Sequence, residues 1–363
     1  MASAQDPTMK QWTTDYTGLA SLKQDTVPVP DPREGQVLIK VNAVSLNFRD
    51  VEVCIGDYDH HDSVPPPTTV VPCSDMVGTV VKLGPRASGE AGNEWVVGDR
   101  VMAIFNLTHL TGQITDEHLP SGLGLPLPGV LSEYCCLPGY GLVKAPENLS
   151  DEEGSTLPIA AVTAWMALNW IRPIGQPLQG ADHIVLLQGT GGVSIAGLQM
   201  AKASGLTAIV TSSSDEKLQR AKKLGADYTI NYRTTPEWHN EVMKITEGKG
   251  VDIVFEQGGP ATLAKSFACI KWGGMISSIG YLSGKQDEAD DRINTNVLAL
   301  RRNVTLKGIW NGPKDRLEEA LELYQQKNIH PIVDRVFTFG QAKEAMEYLA
   351  AGSHFGKVVV KVA

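Results

Sequence analysis

The chain has 363 residues, of which 42% are hydrophobic and 20% charged, and its formal net charge is −9 at pH 7. This length predicts two domains rather than one core. The negative charge excludes a nucleic-acid or anionic-membrane surface, since both reward clustered Lys and Arg. No run approaches the roughly 18 consecutive apolar residues of a membrane span. We therefore expect no nucleic-acid partner and no membrane association.

The 5 cysteines are scattered along the chain without CxxC spacing. An odd, dispersed set is typical of reduced intracellular thiols rather than of a disulfide framework. The opening residues, MASAQDPTMKQW, lack the basic-then-apolar layout of a secretory signal. These features predict a cytoplasmic protein.

Residues 1–152 contain short strand-like runs separated by proline and glycine. In chain order the runs are QVLIKVNAVSL, MVGTVVKLG, DRVMAIF, SEYCCLP and YGLVKAP. This punctuation predicts a compact all-β, barrel-like domain. Within it, Phe105–Val130 has no clear period and is rich in Gly, Pro and Leu. A loop this long in a compact domain is more often functional than idle.

Residues 153–310 alternate between strand-like and helix-like segments. The candidate strands are HIVLLQ, TAIVTS, DYTIN, VDIVFEQ, GMISSIG and VTLKGI, and the candidate helices are Val193–Ser204, Asp215–Leu224, Glu237–Glu247 and Ala261–Cys269. Apolar strands with helical crossovers predict a parallel sheet covered on both faces. Six such strands fit the doubly wound dinucleotide-binding architecture. The fold class is therefore α/β.

Residues 311–363 form a separate tail in the sequence. It contains a helix around Arg316–Gln326, the strand RVFTF, a helix at Gln341–Ala351 and a last strand, GKVVVKV. We expect this tail to return and complete the first domain.

A glycine cluster separates the first strand of the second region from its helix. Gly189, Gly191 and Gly192 stand in the stretch LLQGTGGVSIAG, with Thr190 and Val193 beside them. Glycines permit a tight turn and remove Cβ atoms where the backbone approaches a pyrophosphate, and the following helix offers N–H groups to the anion. Because strand and helix flank the cluster, we interpret it as a phosphate-binding turn. The alternative is a turn without a ligand.

The end of the second strand indicates which dinucleotide binds. An NAD site usually places an acid there, about 20 residues beyond the first glycine. Here Thr211, Ser212 and Ser213 occupy the diagnostic places and Lys217 follows. Hydroxyls and a cation suit the 2′-phosphate of NADPH, which a carboxylate would repel. The rival is Asp215 as a ribose ligand, although Ser213 and Glu216 read as a capping box around it.

The chain resembles the medium-chain dehydrogenase/reductase superfamily over essentially its whole length. The matching motifs are SLNFRDVEVCIGDY, VGDRVMAI, LPIAAVTAWMAL, LLQGTGGVSIAGLQMAK, KLGADYTINYR and HFGKVVVKV. The resemblance implies a GroES-like β-barrel catalytic domain and a Rossmann domain that binds NADPH. The LNFRDV and GDY segments are especially similar to the enoyl-reductase domains of polyketide synthases, and quinone oxidoreductases belong to the same zinc-free branch.

The resemblance also bears on a metal. Zinc members of the superfamily have Cys where this chain has Asn47, Gly-His-Glu where it has Cys73, Ser74 and Asp75, and four close Cys in a lobe matching Phe105–Val130. Zinc needs three or four convergent N, S or O ligands, so we expect none here. A speculative alternative site would be assembled from Cys73, Asp75, His60, His61, His109 and His118.

Without zinc, NADPH can still deliver hydride to a carbon made electrophilic by conjugation, as in a quinone, an enone or an enoyl thioester. The protein then positions the substrate, stabilises the enolate and supplies a proton. In the zinc-free relatives the motif Asn lies near nicotinamide and substrate, and the Tyr is a candidate proton donor. The matching residues are Asn47 and Tyr58, whose alternative readings are a turn amide and a rim aromatic. Asp50 either positions Asn47 or pairs with Arg49.

The resemblance implies further cofactor contacts outside the glycine turn. They are Thr163 on the nicotinamide side, Tyr232 by the adenosine phosphate, Gly258, Ile279 and Gly280 in turns that edge the cofactor, and Phe355, Gly356 and Lys357 reaching toward NADP. Phe105–Val130, with Trp165 and Tyr281, would shape the substrate pocket. The apolar SGLGLPLPGVL within it indicates a small hydrophobic acceptor.

Two other functions stay open at this stage. One is a metal-free carbonyl reductase or alcohol dehydrogenase, in which Ser74, Asp75 and Tyr58 would form a proton relay. The other is a catalytically silent NADPH-binding protein. Relatives often dimerise through the last strand of the dinucleotide sheet, here about NVTLKGIW, so a homodimer is a further expectation.

Overall fold

The computed structural model describes residues 7–60, 66–87, 95–288 and 292–363. The chain divides into two compact units, one formed by Met1–Val162 with Gly312–Ala363 and one by Thr163–Asn311. We placed the boundaries after residues 152 and 310 from the sequence. The structure places the first division after Val162, inside the helical segment at residues 151–169. The tail, residues 312–363, belongs to the first unit.

Strands and helices are numbered in chain order. The strands are β1 (Thr8–Thr13), β2 (Lys23–Pro28), β3 (Gln36–Leu46), β4 (Asp75–Leu83), β5 (Arg100–Ala103), β6 (Tyr134–Pro138), β7 (Leu142–Lys144), β8 (Ile184–Gln188), β9 (Thr207–Ser212), β10 (Tyr228–Asn231), β11 (Val251–Glu256), β12 (Ile270–Ser278), β13 (Thr305–Gly308), β14 (Val333–Thr338) and β15 (Lys357–Lys361). The α-helices are α1 (Phe48–Ile55), α2 (Asp151–Gly154), α3 (Val162–Asn169), α4 (Gly192–Ala203), α5 (Asp215–Lys223), α6 (Trp238–Ile245), α7 (Pro260–Cys269), α8 (Thr295–Arg302), α9 (Lys314–Gln326) and α10 (Ala342–Ala350). A π-helical turn, Leu157–Ala161, joins α2 to α3.

The first unit is built around one sheet with strand order β14-β15-β3-β4-β5-β7, and β6 also pairs with β3. The long strand β3 is buried along most of its length and pairs antiparallel with β4, β6 and β15. Its C-terminal end therefore lies between the start of β4 and the start of β15. That register brings together residues from three distant parts of the sequence.

Phe105–Val130 is folded against the first unit rather than forming an open loop. A 3-10 helix at Asp116–Ser121 and bridges from Asn106 to Gly122 and from Leu123 to Leu127 give it local structure. Leu107, Leu123 and Val130 are buried in the core of the unit. Part of the segment therefore serves packing, and its proposed role in a substrate pocket stays a prediction.

The second unit contains a six-stranded parallel sheet in the order β10-β9-β8-β11-β12-β13. This is the strand order of the doubly wound dinucleotide-binding fold, in which ligands bind at the carboxyl ends of the strands where the order reverses. Here the reversal lies between β8 and β11. Gly197 on α4 permits close packing on this sheet, since a Cβ there would lie 2.6 Å from the Phe255 ring.

Some elements differ from the sequence-based expectation. The hairpin of β1 and β2 and the helices α1 and α8 were not predicted. Helix α8 has no fully buried residue, and its Leu298 and Ala299 pack only partly buried against the core of the second unit. No helix among the described residues is long and apolar enough to cross a membrane.

Candidate active site

The glycine cluster forms a sharp turn between β8 and α4. Gly189 has φ +76°, a left-handed conformation that favours glycine. Gly191 is the N-cap residue and Gly192 begins the 12-residue helix. Ser194 stabilises the turn by donating to the Gln188 carbonyl at 2.6 Å. The geometry leaves the first N–H groups of α4 at the carboxyl end of β8, as an anion-binding helix start requires.

A cleft of about 350 Å³ opens at the same ends of the strands. This volume lies in the range of small-molecule and cofactor sites. Of the predicted cofactor residues, Gly189, Tyr232 and Gly258 line it. Thr211, predicted with Ser212 from the sequence, also lines it. Sequence reasoning missed the other lining residues, which are Gln188, Pro236, Trp238, Gln257, Ala261, Thr262, Lys265, Leu282 and Ser283. Gln188 ends β8 and Gln257 immediately follows β11, and this position at strand ends is the signal that could have found these two.

A buried carboxylate organises the turn after β11. Glu256 is fully buried and accepts hydrogen bonds from the Gln188 amide at 2.9 Å and from the backbone N–H groups of Gly258 and Gly259, each at 3.0 Å. Its backbone carbonyl accepts from Ile279 N–H at 2.8 Å and from Gly280 N–H at 3.3 Å. Glu256 thus ties together the predicted turns at Gly258 and at Ile279–Gly280.

The residues assigned to the 2′-phosphate lie where β9 ends and α5 begins. Ser212 is buried and its Oγ accepts from Ser214 N–H at 3.4 Å, whereas Ser213 and Lys217 are half-buried. The predicted capping box from Ser213 is wrong. Ser214 is the N-cap and accepts from Lys217 N–H at 3.3 Å, because the helix begins one residue later.

Asp215, the rival ribose ligand, has another partner. Its Oδ1 accepts from the Asn231 amide at 2.8 Å. This contact joins α5 to β10. It accounts for the Asp215 side chain without a ribose.

The first unit carries a buried polar cluster at the end of β3, defined by Asn47, Asp50, Asp75 and Lys357. Asn47 caps α1, and its backbone N–H donates to Asp50 Oδ2 at 2.7 Å. Lys357 Nζ donates to Asn47 Oδ1 and to the Leu46 carbonyl, both at 2.6 Å. Asp75 accepts from Ser74 Oγ at 2.8 Å and from Ile159 N–H at 3.1 Å. Asn47 Nδ2 is buried and has no hydrogen-bond partner among the described residues.

Burial dominates the electrostatics of this cluster. Asp50 and Asp75 are 0% exposed and Lys357 is 6% exposed. Burial raises the pKa of Asp50 to about 6, and the neighbouring Arg49 guanidinium partly opposes the rise. Burial also raises the pKa of Asp75, against the attraction of Lys357 and the nearby Asn47 amide. Burial lowers the pKa of Lys357, while Asp75 and Asp50 favour its charged form. The carboxylates of Asp50 and Asp75 are thus compensated by the ammonium of Lys357 and the guanidinium of Arg49.

The raised pKa of Asp50 predicts a pH-dependent stability. The folded protein holds this proton more tightly than the unfolded chain, so the stabilisation is complete below about pH 4 and is lost as the pH rises through about 6. We expect the free energy of unfolding of the wild type, measured relative to Asp50→Asn, to fall by about 2–3 kcal/mol over this window. Urea unfolding of the wild type and Asp50→Asn across this pH range measures the difference. Asp57→Asn, which changes an exposed carboxylate, is the control for that comparison. A difference that stays constant or grows with pH would contradict the prediction.

Tyr58, the candidate proton donor, lies next to Arg49. The Arg49 guanidinium carbon lies 4.8 Å from the centre of the Tyr58 ring and 4.9 Å from that of Phe105. Arg49 Nη1 also donates to the Leu123 carbonyl at 2.9 Å and to Asp50 Oδ1 at 3.4 Å. Asp50 therefore does both things that the sequence allowed, since it holds Asn47 and pairs with Arg49. Burial raises the pKa of Tyr58, which keeps its hydroxyl protonated at neutral pH.

The remaining predicted residues differ in accessibility. Thr163 and Thr190 are buried, and Thr163 Oγ1 has no partner among the described residues. Phe355 is 1% exposed, so its side chain belongs to a core. Lys357 directs its ammonium at Leu46 and Asn47. For Phe355 and Lys357, a direct side-chain contact with NADP stays a prediction that burial does not favour.

The residues present do not fit a zinc site. Within the described ranges, no three His, Cys, Asp or Glu side chains are grouped so that they could hold a metal ion. Cys73 is buried in the core of the first unit. His61, part of the speculative alternative set, lies outside the described residues. We derive no step through zinc.

A dinucleotide-type turn, a cofactor-sized cleft and a β-domain with a buried polar cluster together define an oxidoreductase that binds a nicotinamide dinucleotide. Residues 33–147 match the family of alcohol dehydrogenase GroES-like domains, and residues 192–326 match the zinc-binding dehydrogenase family. The chain belongs to the medium-chain dehydrogenase/reductase superfamily, as the sequence motifs predicted. The predicted GroES-like and Rossmann fold classes are confirmed.

Individual relatives cover nearly the whole chain. A zinc-type alcohol dehydrogenase-like protein of Schizosaccharomyces pombe is 41% identical over 96% of this chain and 97% of its own length. A 2-haloacrylate reductase of Burkholderia sp is 26% identical, covering 93% of each chain. The crystal structure of a candidate alcohol dehydrogenase from Sinorhizobium meliloti 1021 has 35% identity and a TM-score of 0.86, covering 99% of this chain and 100% of that one.

Proposed function

We propose that this protein is an NADPH-dependent, zinc-independent reductase that transfers hydride to an activated C=C bond or to a quinone. The observation that carries the proposal is the buried Nδ2 of Asn47, which lies near the Asp75 carboxylate but makes no hydrogen bond of good geometry among the described residues. The described part of the cluster contains no metal-ligand set. Buried donors without partners are rare and costly in native proteins. An oxygen of a bound acceptor would supply the missing partner.

Hydride addition to the β-carbon of an enone places negative charge on the carbonyl oxygen. A fixed N–H donor lowers the energy of that enolate more than it lowers the energy of the neutral ground state. Asn47 would supply the donor. Tyr58 would supply the proton that completes the reduction, because a phenol is protonated at neutral pH and the adjacent Arg49 guanidinium would stabilise the phenolate left behind.

The proposed preference for NADPH depends on the second unit. Ser212 and Ser213 stand at the end of β9 where an NAD site has an acid, and Lys217 lies in the first turn of α5. Asp215 is engaged by Asn231. These positions favour a 2′-phosphate over a bare ribose hydroxyl.

The names of the relatives support the proposed reduction of a C=C bond and also a second candidate reaction, at a carbonyl group. A 2-haloacrylate reductase is named for a conjugated C=C substrate, whereas the yeast relative is named as an alcohol dehydrogenase type. The second candidate function is a metal-free carbonyl reductase. The hydrogen bond of 2.8 Å from Ser74 to Asp75 favours it, because it supplies two members of the relay that this chemistry would need.

We propose a small hydrophobic unsaturated carbonyl compound or quinone as the acceptor, and the cytoplasm as the location. We further propose a homodimer formed through β13, which lies at the sheet edge. Leu300 on α8 is 78% exposed and Leu306 on β13 is 39% exposed, so an apolar surface accompanies that edge. A monomeric mass in solution would contradict the dimer.

The proposal is tested by NADPH oxidation against a panel of enones, enoyl thioesters, quinones, ketones and aldehydes. We expect turnover with conjugated acceptors and no change after chelator treatment. Turnover confined to ketones and aldehydes would favour the carbonyl reductase instead. Activity lost with EDTA and restored by zinc would overturn zinc independence. Tight NADPH binding without oxidation of any acceptor would indicate a catalytically silent protein.

A further inference from the structure

We propose that Lys357 is a positioning residue, which fixes the orientation of the Asn47 amide so that its N–H donors face the reacting oxygen. This inference deepens the proposed function and rests on it. It also assigns Lys357 a different role from the contact with NADP that the motif HFGKVVVKV implied.

The identity of the amide atom near Lys357 follows from donor chemistry. A lysine ammonium donates hydrogen bonds and accepts none. The amide atom 2.6 Å from Lys357 Nζ must therefore be the oxygen, Asn47 Oδ1. A flipped amide would set its NH₂ group against the ammonium, so the opposite orientation is strongly disfavoured. Lys357 thereby turns Nδ2 away from the ammonium. The Asp75 carboxylate lies near this atom, and the second of its two N–H donors stays open to a further acceptor.

The backbone of Asn47 is fixed independently of its side chain. Its N–H donates to Asp50 Oδ2 at 2.7 Å, and its carbonyl accepts from Asp50 N–H at 2.9 Å. The neighbouring Leu46 carbonyl is the second acceptor of Lys357 Nζ. Asp50, three residues along the chain, thus holds the Asn47 main chain, whereas Lys357, near the C-terminus, holds its amide oxygen. Such rigidity is what a preorganised donor requires.

The fold brings Lys357 to Asn47 through strand pairing. Lys357 begins β15, and the antiparallel register pairs Val358 with Leu46 at the end of β3. Gly356, with φ +82°, precedes it, and a Cβ there would lie 2.4 Å from the Ile332 carbonyl oxygen. The turn is therefore specific to glycine and sets where the lysine enters.

Burial argues against a direct contact between Lys357 and the cofactor. The residue is 6% exposed, and its ammonium is engaged by Leu46 and Asn47. Burying an ammonium is costly unless nearby groups compensate for it. Here Asp75 and Asp50 favour its charged form. Both carboxylates belong to the polar cluster, so they stabilise the charge of Lys357 beside the Asn47 amide that it would position.

The test compares Lys357→Met with Lys361→Met in the full-length protein. Met retains most of the side-chain length but cannot donate, whereas Lys361 is exposed on the same strand and pairs with Glu152 at 3.1 Å. We expect Lys357→Met to lower kcat for the conjugated acceptor about 10- to 100-fold at saturating NADPH, with the Kd of NADPH changed less than about two-fold. Lys361→Met should behave as the wild type. The effect of Lys357→Met should be much smaller in an Asn47→Ala background, because the two act as a unit.

A measurement without turnover keeps the inference testable on its own. Selective ¹⁵N-asparagine labelling gives the Asn47 side-chain NH₂ signal, assigned by its loss in Asn47→Ala. We expect Lys357→Met to shift and broaden this pair in the folded protein, and Lys357→Arg, which retains donors, to restore it in part. An unchanged NH₂ signal, or a Kd for NADPH raised more than ten-fold with kcat unchanged, would overturn the positioning role. If the wild type reduces no acceptor, the proposed function fails while the NMR result still decides the orientation.

Discussion

Asn47→Ala is expected to lower kcat for reduction of a conjugated acceptor by about 100- to 1,000-fold, the range seen when one oxyanion donor is removed. The Nδ2 atom is buried and makes no hydrogen bond of good geometry among the described residues, although the Asp75 carboxylate lies near it. Its NH₂ group has two donors, so a bound acceptor can take one even where the other interacts with Asp75. Because the charge develops during hydride transfer, the loss should appear in kcat more than in the Kd of NADPH. Stopped-flow measurement of NADPH oxidation at saturating acceptor reports it directly.

A matched control for this substitution lies on β3, the strand that ends directly before Asn47. The Asn42 amide donates to Asp151 Oδ2 at 2.9 Å and to Thr79 Oγ1 at 3.1 Å, so its donors are used inside the fold. Asn42→Ala should cost stability and leave kcat within about two-fold, because the polar cluster is untouched. A similar loss of kcat in both variants would show that Asn47 acts through folding alone. Near-wild-type activity in Asn47→Ala would remove the donor role.

The sequence predicted the second unit well because its signals are local. Strands β8, β9 and β11 are short apolar runs, whereas β13 is mostly exposed. The crossover helices follow with caps and glycines that can be read in order. The order of the strands could then be inferred from the fold class. The residues lining the cleft were harder to predict, since Pro236, Thr262 and Leu282 come from separate connections and have no motif of their own.

The contacts within the polar cluster, in contrast, could not be predicted from local sequence signals. Asn47 and Asp75 were identified through motifs, but the partner of the Asn47 amide is Lys357, 310 residues away in sequence. No periodicity or spacing connects two residues at that separation. The pairing follows from the register of β15 on β3, which depends on tertiary structure. The motif identified the lysine as functional, while its hydrogen bonds indicate a different function.

The cluster also gives the proposed donor role of Asn47 an electrostatic basis. Asp50 and Asp75 balance Arg49 and Lys357 within a buried region, and none of these four side chains is more than 9% exposed. In a low-dielectric environment, fixed dipoles and charges act more strongly than in water. A neutral amide held by an ammonium is therefore a stronger donor than the same amide in solvent.

Lys217→Ala is expected to weaken NADPH binding about 10- to 100-fold, since a charge-assisted contact with a phosphate contributes about 1.5–3 kcal/mol. NADH lacks the 2′-phosphate, so its Kd should change less than about two-fold. Lys217 lies in the first turn of α5, three residues after the Ser214 cap, where it can flank a phosphate held near Ser213. Titration of each cofactor by fluorescence measures both constants.

Lys223→Ala is the matched control, because it removes the same charge from the exposed last turn of the same helix. Long-range electrostatics alone would weaken NADPH equally in both variants, and that weakening would fade with salt over the Debye length. A specific contact predicts a loss in Lys217→Ala that persists at about 0.3 M salt, alongside wild-type affinity in Lys223→Ala. Equal weakening of NADPH and NADH in Lys217→Ala would instead place the lysine outside the 2′-phosphate site. NADPH specificity would then have to come from other residues of the cleft, among which Tyr232 is a predicted cofactor contact.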